Sequence, residues 1–359
     1  MEKVRLGDIC VKQSSKLAQK DLENMDGSYP IFGASGLIKK INTYDQKAEY
    51  VAVVKDGAGV GRTMLLPAYS SVIGTLQYLI PNDNVNAKYL YYAVKSRHLE
   101  KYYTGSAIPH IYFKDYKSEP IILFDRIAQK KIVLVLERVE KIIEKQKQQL
   151  EMLDTLIKAR FVEMFGDPMN NPCGYEHIKL SDIATYFNGL TYKPENVTED
   201  GTIVLRSSNI QNGQLDFLDT VRVNCAIKER IMVQENDILM CSRNGSAKLV
   251  GKVALVKDIQ EPMSFGAFMM IIRSQYFGYL MTYFQMDAFR QQIKTSATTT
   301  INQITGRMLD NITIPLPPIT MVEQYTAFIE QVDKSKSAIQ KSLEKTQTLF
   351  DSLMQEYFG

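Results

Sequence analysis

With 359 residues, 45% of them hydrophobic, the chain is long enough for two cores, which excludes a disordered protein, and a formal net charge of +3 neither requires nor excludes nucleic acid. Four widely spaced cysteines (Cys10, Cys173, Cys225, Cys241) and three histidines (His98, His110, His177) give no zinc-ligand spacing and no disulfide framework. The start lacks a signal-peptide pattern and no apolar run approaches the roughly 18 residues of a spanning helix, so a cytoplasmic protein without a membrane partner is expected.

In chain order, Val4-Arg5-Leu6-Gly7-Asp8-Ile9 opens a mixed region of strands and helices. Tyr50-Val51-Ala52-Val53-Val54 and Leu76-Gln77-Tyr78-Leu79-Ile80 read as strands bounded by turn residues, with the glycine-rich turn Asp56-Gly57-Ala58-Gly59-Val60-Gly61-Arg62 between them. Tyr89 to Val94 reads as a helix, and Thr104 to His110 as a loop. Pro120-Ile121-Ile122-Leu123 leads into a long helix.

The second half repeats this order. Ile178-Lys179-Leu180-Ser181-Asp182-Ile183 restates the opening, and Asp237 to Cys241 leads into a polar turn, Ser242 to Lys248. Gly251 to Val256 follows as a strand, and Phe268 to Ile272 is expected to match the run Leu76 to Ile80. Tyr279 to Phe284 reads as a helix, and Ser296 to Gln303 stands where Gly105 to His110 stood. Ile314-Pro315-Leu316-Pro317-Pro318 then enters a second long helix. The stretch Leu136–Gly166 returns 193 positions later as Ile329–Gly359, both copies ending on Phe-Gly. Such a period is too long for a solenoid and signals a duplicated unit of globular domain plus helix.

Both helices carry a heptad seam. In the first it runs through Leu136, Val139, Ile143, Gln146, Leu150, Leu153 and Ile157; in the second through Ile329, Val332, Lys336, Ile339, Leu343, Thr346 and Phe350. The polar members Gln146 and Lys336 cost stability but fix register. Parallel packing would require the roughly 12 residues after Gly166 to return along the whole helix, about 50 to 60 Å, and they reach only about 40 Å. The expected fold is therefore α+β: two similar mixed α/β domains (1–124 and 167–318) and two antiparallel coiled-coil helices (125–166 and 319–359), related by a pseudo-two-fold axis.

The glycine turn lacks the spacing of a dinucleotide loop and has no Walker lysine, and it precedes a strand where those motifs need a helix. It reads as a hairpin turn that can present Lys55 and Arg62 to phosphates. Asn171-Pro172-Cys173-Gly174 has only part of an amino-methyltransferase signature, and no hydrolase, metalloprotease or nuclease motif is present. Arg206 to Asn212 and Ser242-Arg243-Asn244 combine side chains that read base edges, arginine toward guanine and Asn or Gln toward adenine, although such loops can also be plain solvated turns. Lys114 and Lys117 beside Tyr112 and Tyr116 suit phosphate contacts or a merely basic surface.

Taken together, these segments closely resemble the specificity (S) subunits of type I restriction–modification systems, over nearly the whole chain. The Leu-Gly-Asp-Ile and Leu-Ser-Asp-Ile openings, Lys55 to Arg62, Ser71 to Leu79, Phe165-Gly166-Asp167-Pro168, and Ile314 to Pro318 leading to Glu323-Gln324 carry the resemblance. The first half departs modestly, with Pro120 to Phe124 lacking a double proline and Ala128-Gln129 standing where Glu-Gln is usual. The resemblance implies two target recognition domains, each reading one half of a bipartite double-stranded DNA site. The helices would set the spacer and dock two modification (methyltransferase) subunits, with restriction (endonuclease/translocase) subunits as further partners. S-adenosylmethionine, ATP and Mg would belong to those partners, and this chain would hold no cofactor or metal and catalyse nothing. Candidate DNA-binding residues are Lys55, Arg62, His110 and Lys114 in the first domain. In the second they are Arg206, Asn209, Arg243, Asn244, Lys248, Asn302 and Gln303. A coiled-coil adaptor without DNA binding, and a methyltransferase using Gly57 to Gly61, are the alternatives.

Overall fold

A computed structural model describes residues 2–105, 109–296 and 303–359, which form two compact units. The first unit comprises Met1–Gln148 with Ile339–Gly359, the second Gln149–Ala338.

In the first unit a four-stranded antiparallel sheet runs in the order Cys10–Ser14, Leu76–Pro81, Tyr50–Val54, Thr63–Leu66. All five residues of Tyr50–Val54 are buried, because the strand is covered on both faces. Val51 and Val53 face a core with Tyr89, Leu90 and the long helices, whereas Tyr50, Ala52 and Val54 face a second core. That second core lies under a three-stranded sheet, Gly36–Ile41, Tyr29–Gly33 and Ser71–Val72, the last two strands parallel. The helix Ala87–Lys95 is capped by Asn86, whose side chain accepts from the amides of Lys88 and Tyr89.

The second unit is built on the same plan. Its sheet runs Thr185–Asn188, Met269–Arg273, Ile238–Cys241, Val253–Leu255. Ile238 and Met240 face the helical core, and Leu239 and Cys241 face the other. A further sheet, Val197–Thr198, Arg222–Val223, Thr202–Leu205 and Met263–Phe265, again ends in a parallel pair. The expected match of Phe268 with Leu76 is corrected by one residue: Leu76 lies opposite Val54 and Met269 opposite Cys241, so Met269 is the counterpart of Leu76.

The repeated openings have a common role. Glu2–Arg5 pairs with Pro120–Leu123, and His177–Lys179 with Thr313–Pro315, so the first strand of each globular part holds the strand that enters the long helix. Leu6 and Leu180 are fully buried, and their amides donate to the carbonyls of Glu119 and Ile312.

Two helices of 40 residues each, Arg126–Phe165 and Ile319–Phe358, contribute to both units. Asp125 starts the first: its carboxylate accepts from the amides of Ala128 and Ile127, and those bonds hold the carboxyl below its ordinary range. Gln129 is fully buried and ties this start to the domain, accepting from the amide of Asn86 and donating to the carbonyls of Asn84 and Phe124.

Within each unit the helical segments pair antiparallel. In the first unit Tyr89 touches both Phe124, just before the first helix, and Phe358, at the end of the second, while Gln146 donates to Ser342 at 2.8 Å. In the second unit Lys336 bonds Asp154 at 2.6 Å, and the Tyr325 ring lies 5.3 Å from that of Phe165. Seam residues Leu136, Val139, Ile143, Val332 and Phe350 are buried, and Leu150, Leu153, Ile157, Ile329, Ile339 and Leu343 are half-buried among exposed neighbours. The polar seam members Gln146 and Lys336 each have a partner on the facing helix, which is how a polar seam residue specifies register.

Candidate functional site

The glycine-rich turn joins Tyr50–Val54 to Thr63–Leu66 as a hairpin and does not open a helix. The Gly61 amide donates to the Val54 carbonyl, and the Val54 amide to the Arg62 carbonyl. Gly61 has φ +86°, and a Cβ there would collide with the amide nitrogen of Glu100, so only glycine fits. Beyond Val54 the strand turns outward. The amides of Lys55 and Asp56 both donate to the Thr75 carbonyl, Ile111 donates to the Lys55 carbonyl, and Asp56 forms a bridge with His110.

The second unit repeats this frame bond for bond. Gly251, also left-handed at φ +78°, donates to the Cys241 carbonyl, and Cys241 donates to that of Lys252. The amides of Ser242 and Arg243 both donate to the Phe268 carbonyl, Ile304 donates to the Ser242 carbonyl, and Arg243 bridges to Gln303. Lys55, Asp56, Arg62, Thr75 and His110 therefore occupy the places of Ser242, Arg243, Lys252, Phe268 and Gln303.

The side chains on the two frames differ. In the first unit Asp56 is bonded to the His110 Nδ1 and has the Lys55 ammonium 3.6 Å away. The His110 ring packs edge-on against Tyr112, 4.0 Å between centroids, and the exposed Lys114 ammonium lies 5.2 Å from the Tyr112 ring centre. Arg62 is exposed and donates to the Ala34 carbonyl. In the second unit Arg243 is exposed with its guanidinium 5.5 Å from the centre of the exposed Phe268 ring, and Gln303 is exposed beside it. The Asn244 amide reaches the Ser207 hydroxyl at 3.4 Å, and its carbonyl oxygen accepts from the Ser246 amide. Lys248 is exposed in the same turn. Burial pushes the thiol of Cys241, the last residue before the turn, up from its ordinary range.

Two expected residues, Arg206 and Asn209, are placed otherwise. Asn209 is buried and is removed from the interface: its amide donates to the carbonyls of Asp216 and Asp219, and its oxygen accepts from the Arg206 amide. It holds the loop 206–219 closed and has no edge left for a base. Arg206 is half-buried, and one nitrogen of its guanidinium, Nη2, bonds the Asp219 carboxylate at 2.6 Å. Asn302 lies outside the described residues. Conversely, Asp56, Lys252 and Phe268 belong to the frames although none of them is among the candidate DNA-binding residues read from the sequence. Aligning Val54-Lys55-Asp56 with Cys241-Ser242-Arg243 as the ends of equivalent strands is the signal that finds them.

Two repeated αβ units, each presenting a variable hairpin and loop on a fixed frame, agree with the family to which the sequence matches. Residues 1–152 and 172–347 match the type I restriction modification DNA specificity domain, and the chain belongs to that family. It is 30% identical over 183 residues to the EcoKI specificity subunit of Escherichia coli K12, a match covering 47% of this chain and 39% of that one. Against the MjaVIII specificity subunit of Methanocaldococcus jannaschii it is 23% identical over 398 residues, 97% of this chain and 91% of the relative. The crystal structure of the S subunit from M. genitalium shares the fold with a TM-score of 0.64, at 16% identity, over 100% of this chain and 96% of that chain.

Proposed function

We propose that this chain is the non-catalytic DNA-recognition subunit of a type I restriction–modification complex. One observation carries this reading: the same backbone frame occurs in both units, but with Asp56 and His110 on one and Arg243 and Gln303 on the other. A conserved scaffold with exchanged polar side chains suits two readers of different sequences, whereas an adaptor without DNA binding has no need of it. Each unit reads one half of a bipartite site, and the basic side chains Lys55, Arg62, Lys114, Lys248 and Lys252 contact phosphates. Two methyltransferase subunits dock on the helices and bring S-adenosylmethionine. Restriction subunits bring ATP and Mg. Sharing phosphate contacts across such a complex accommodates a net charge of only +3.

The test is to co-express the chain with its methyltransferase partner in an unmethylated host and map adenine methylation across the genome. A two-part motif with a fixed spacer is expected; a single continuous motif, or none, overturns the proposal. Within this reading, Arg243→Ala removes a guanine contact and lowers affinity of the assembled complex for its site about thirtyfold, at the middle of the range for one bidentate base contact. Unchanged affinity at both low and moderate salt removes Arg243 from the interface. Deleting one heptad from each long helix in register shortens the spacer that is methylated, and retention of the original spacer would show that the helices do not set it.

A further inference from the structure

We infer that Asp56 is the base-reading residue of the first unit, accepting a hydrogen bond from an exocyclic amine in the major groove, adenine N6 or cytosine N4, and that it stands where Arg243 stands in the second. The inference rests on the DNA-recognition reading and names the chemistry of one half-site.

The frame fixes the equivalence. Asp56 and Arg243 each follow the residue whose carbonyl accepts from Ile111 or Ile304, each donates its amide to the Thr75 or Phe268 carbonyl, and each bridges to the last residue of the returning loop, His110 or Gln303. A position that carries Asp in one copy and Arg in the other reverses hydrogen-bonding character as well as charge. Asp accepts where Arg donates, which is the difference between reading an amine and reading guanine O6 and N7.

The surroundings of Asp56 prepare it for that role. A carboxylate has about four lone-pair sites. One is taken by the His110 Nδ1 and another is directed at Lys55, 3.6 Å away, which leaves acceptor capacity on a half-buried side chain. Lys55 beside it, and Arg62 and Lys114 farther out on exposed positions, offset the repulsion that phosphates would exert on an isolated carboxylate. His110 is a positioning residue: its ring is held against Tyr112 and fixes the direction of the Asp56 carboxylate.

The experiment is genome-wide adenine-methylation mapping of the complex with the methyltransferase, for wild type, Asp56→Asn, Asp56→Glu, His110→Gln and His110→Leu. Asp56→Asn relaxes or changes one base, an adenine or cytosine on one strand of the half-site read by the first unit, with a ten- to hundredfold loss of preference there, and leaves the other half-site intact. Asp56→Glu moves the carboxylate by one methylene and affects the same base, so it stands in should Asp56→Asn not assemble. His110→Gln, which installs the second unit's own donor, retains the preference, whereas His110→Leu loses it as Asp56→Asn does. A wild-type motif with two parts that both Asp56 variants leave unchanged at every base overturns this inference alone. A wild-type complex with no two-part motif overturns the recognition reading instead.

Discussion

Phe358→Ala is expected to destabilise the unit containing residues 1–148 by about 3–5 kcal/mol, the range for removing a fully packed aromatic ring. Phe358 is only 2% exposed and lies 5.2 Å from the ring of Tyr89, itself fully buried, whose hydroxyl donates to the Ile122 carbonyl. It shares one core with Leu6, Ile121 and Leu136. Truncation therefore opens a cavity at the centre of a domain most of whose residues lie more than 200 positions earlier in the chain, and neighbours fixed in strands and helices refill it poorly. The duplication supplies the control. Phe165, at the end of the first helix, lies 5.2 Å from Tyr279 and 5.3 Å from Tyr325 in the other unit, so each helix closes the domain of the opposite copy. Hydrogen exchange distinguishes the two substitutions: Phe358→Ala lowers protection in Tyr50–Val54 and Leu76–Pro81, and Phe165→Ala in Ile238–Cys241 and Met269–Arg273. Loss of protection in the reverse units, or an unchanged unfolding midpoint for Phe358→Ala, would show that the ends do not close the cores in this way.

What is legible in the sequence follows from strong, local patterns. Tyr50–Val54 can be recognised because a strand covered on both faces is apolar throughout, and the long helices because an apolar seam sustained over several heptads arises where helices pack along their length. The same continuity conceals the register of the second copy: Phe268 to Ile272 has no polar alternation to say which residue matches Leu76, so the sequence match falls one residue out. Strands of two residues such as Val197–Thr198 and Arg222–Val223 are too short for any period to show. Asn209 has the residue type of a base reader, but its fate depends on the carbonyls of Asp216 and Asp219, which only the folded loop brings to it. Asp56 is hidden because the offset between copies is not constant. The helices and the pair Thr75 and Phe268 repeat at 193 positions, whereas Asp56 and Arg243 are 187 apart, the turns between them differing in length.

The second large effect is expected at an ion pair particular to the second unit. Asp237 is 1% exposed, and its carboxylate accepts from Arg273 Nε at 2.7 Å, from Arg273 Nη2 at 2.8 Å and from the Gln234 amide at 2.7 Å. Arg273, half-buried, also stacks its guanidinium 5.0 Å from the centre of the Phe187 ring. Arg273→Leu leaves the carboxylate buried with one backbone donor and no countercharge. The expected cost is about 3 kcal/mol, the lower end for breaking a buried pair, because water can partly reach the vacated side. Removing both charges is a different experiment. With Asp237→Asn added to Arg273→Leu, the Gln234 amide keeps its acceptor and no charge is stranded, so part of that loss returns; the remainder includes the lost contact with Phe187, about 0.5–1 kcal/mol. Urea unfolding of wild type, both single variants and the double variant closes the cycle. The double variant should unfold at a higher urea concentration than Arg273→Leu; if it unfolds lower, the loss comes from packing around Arg273 and not from the stranded Asp237 carboxylate.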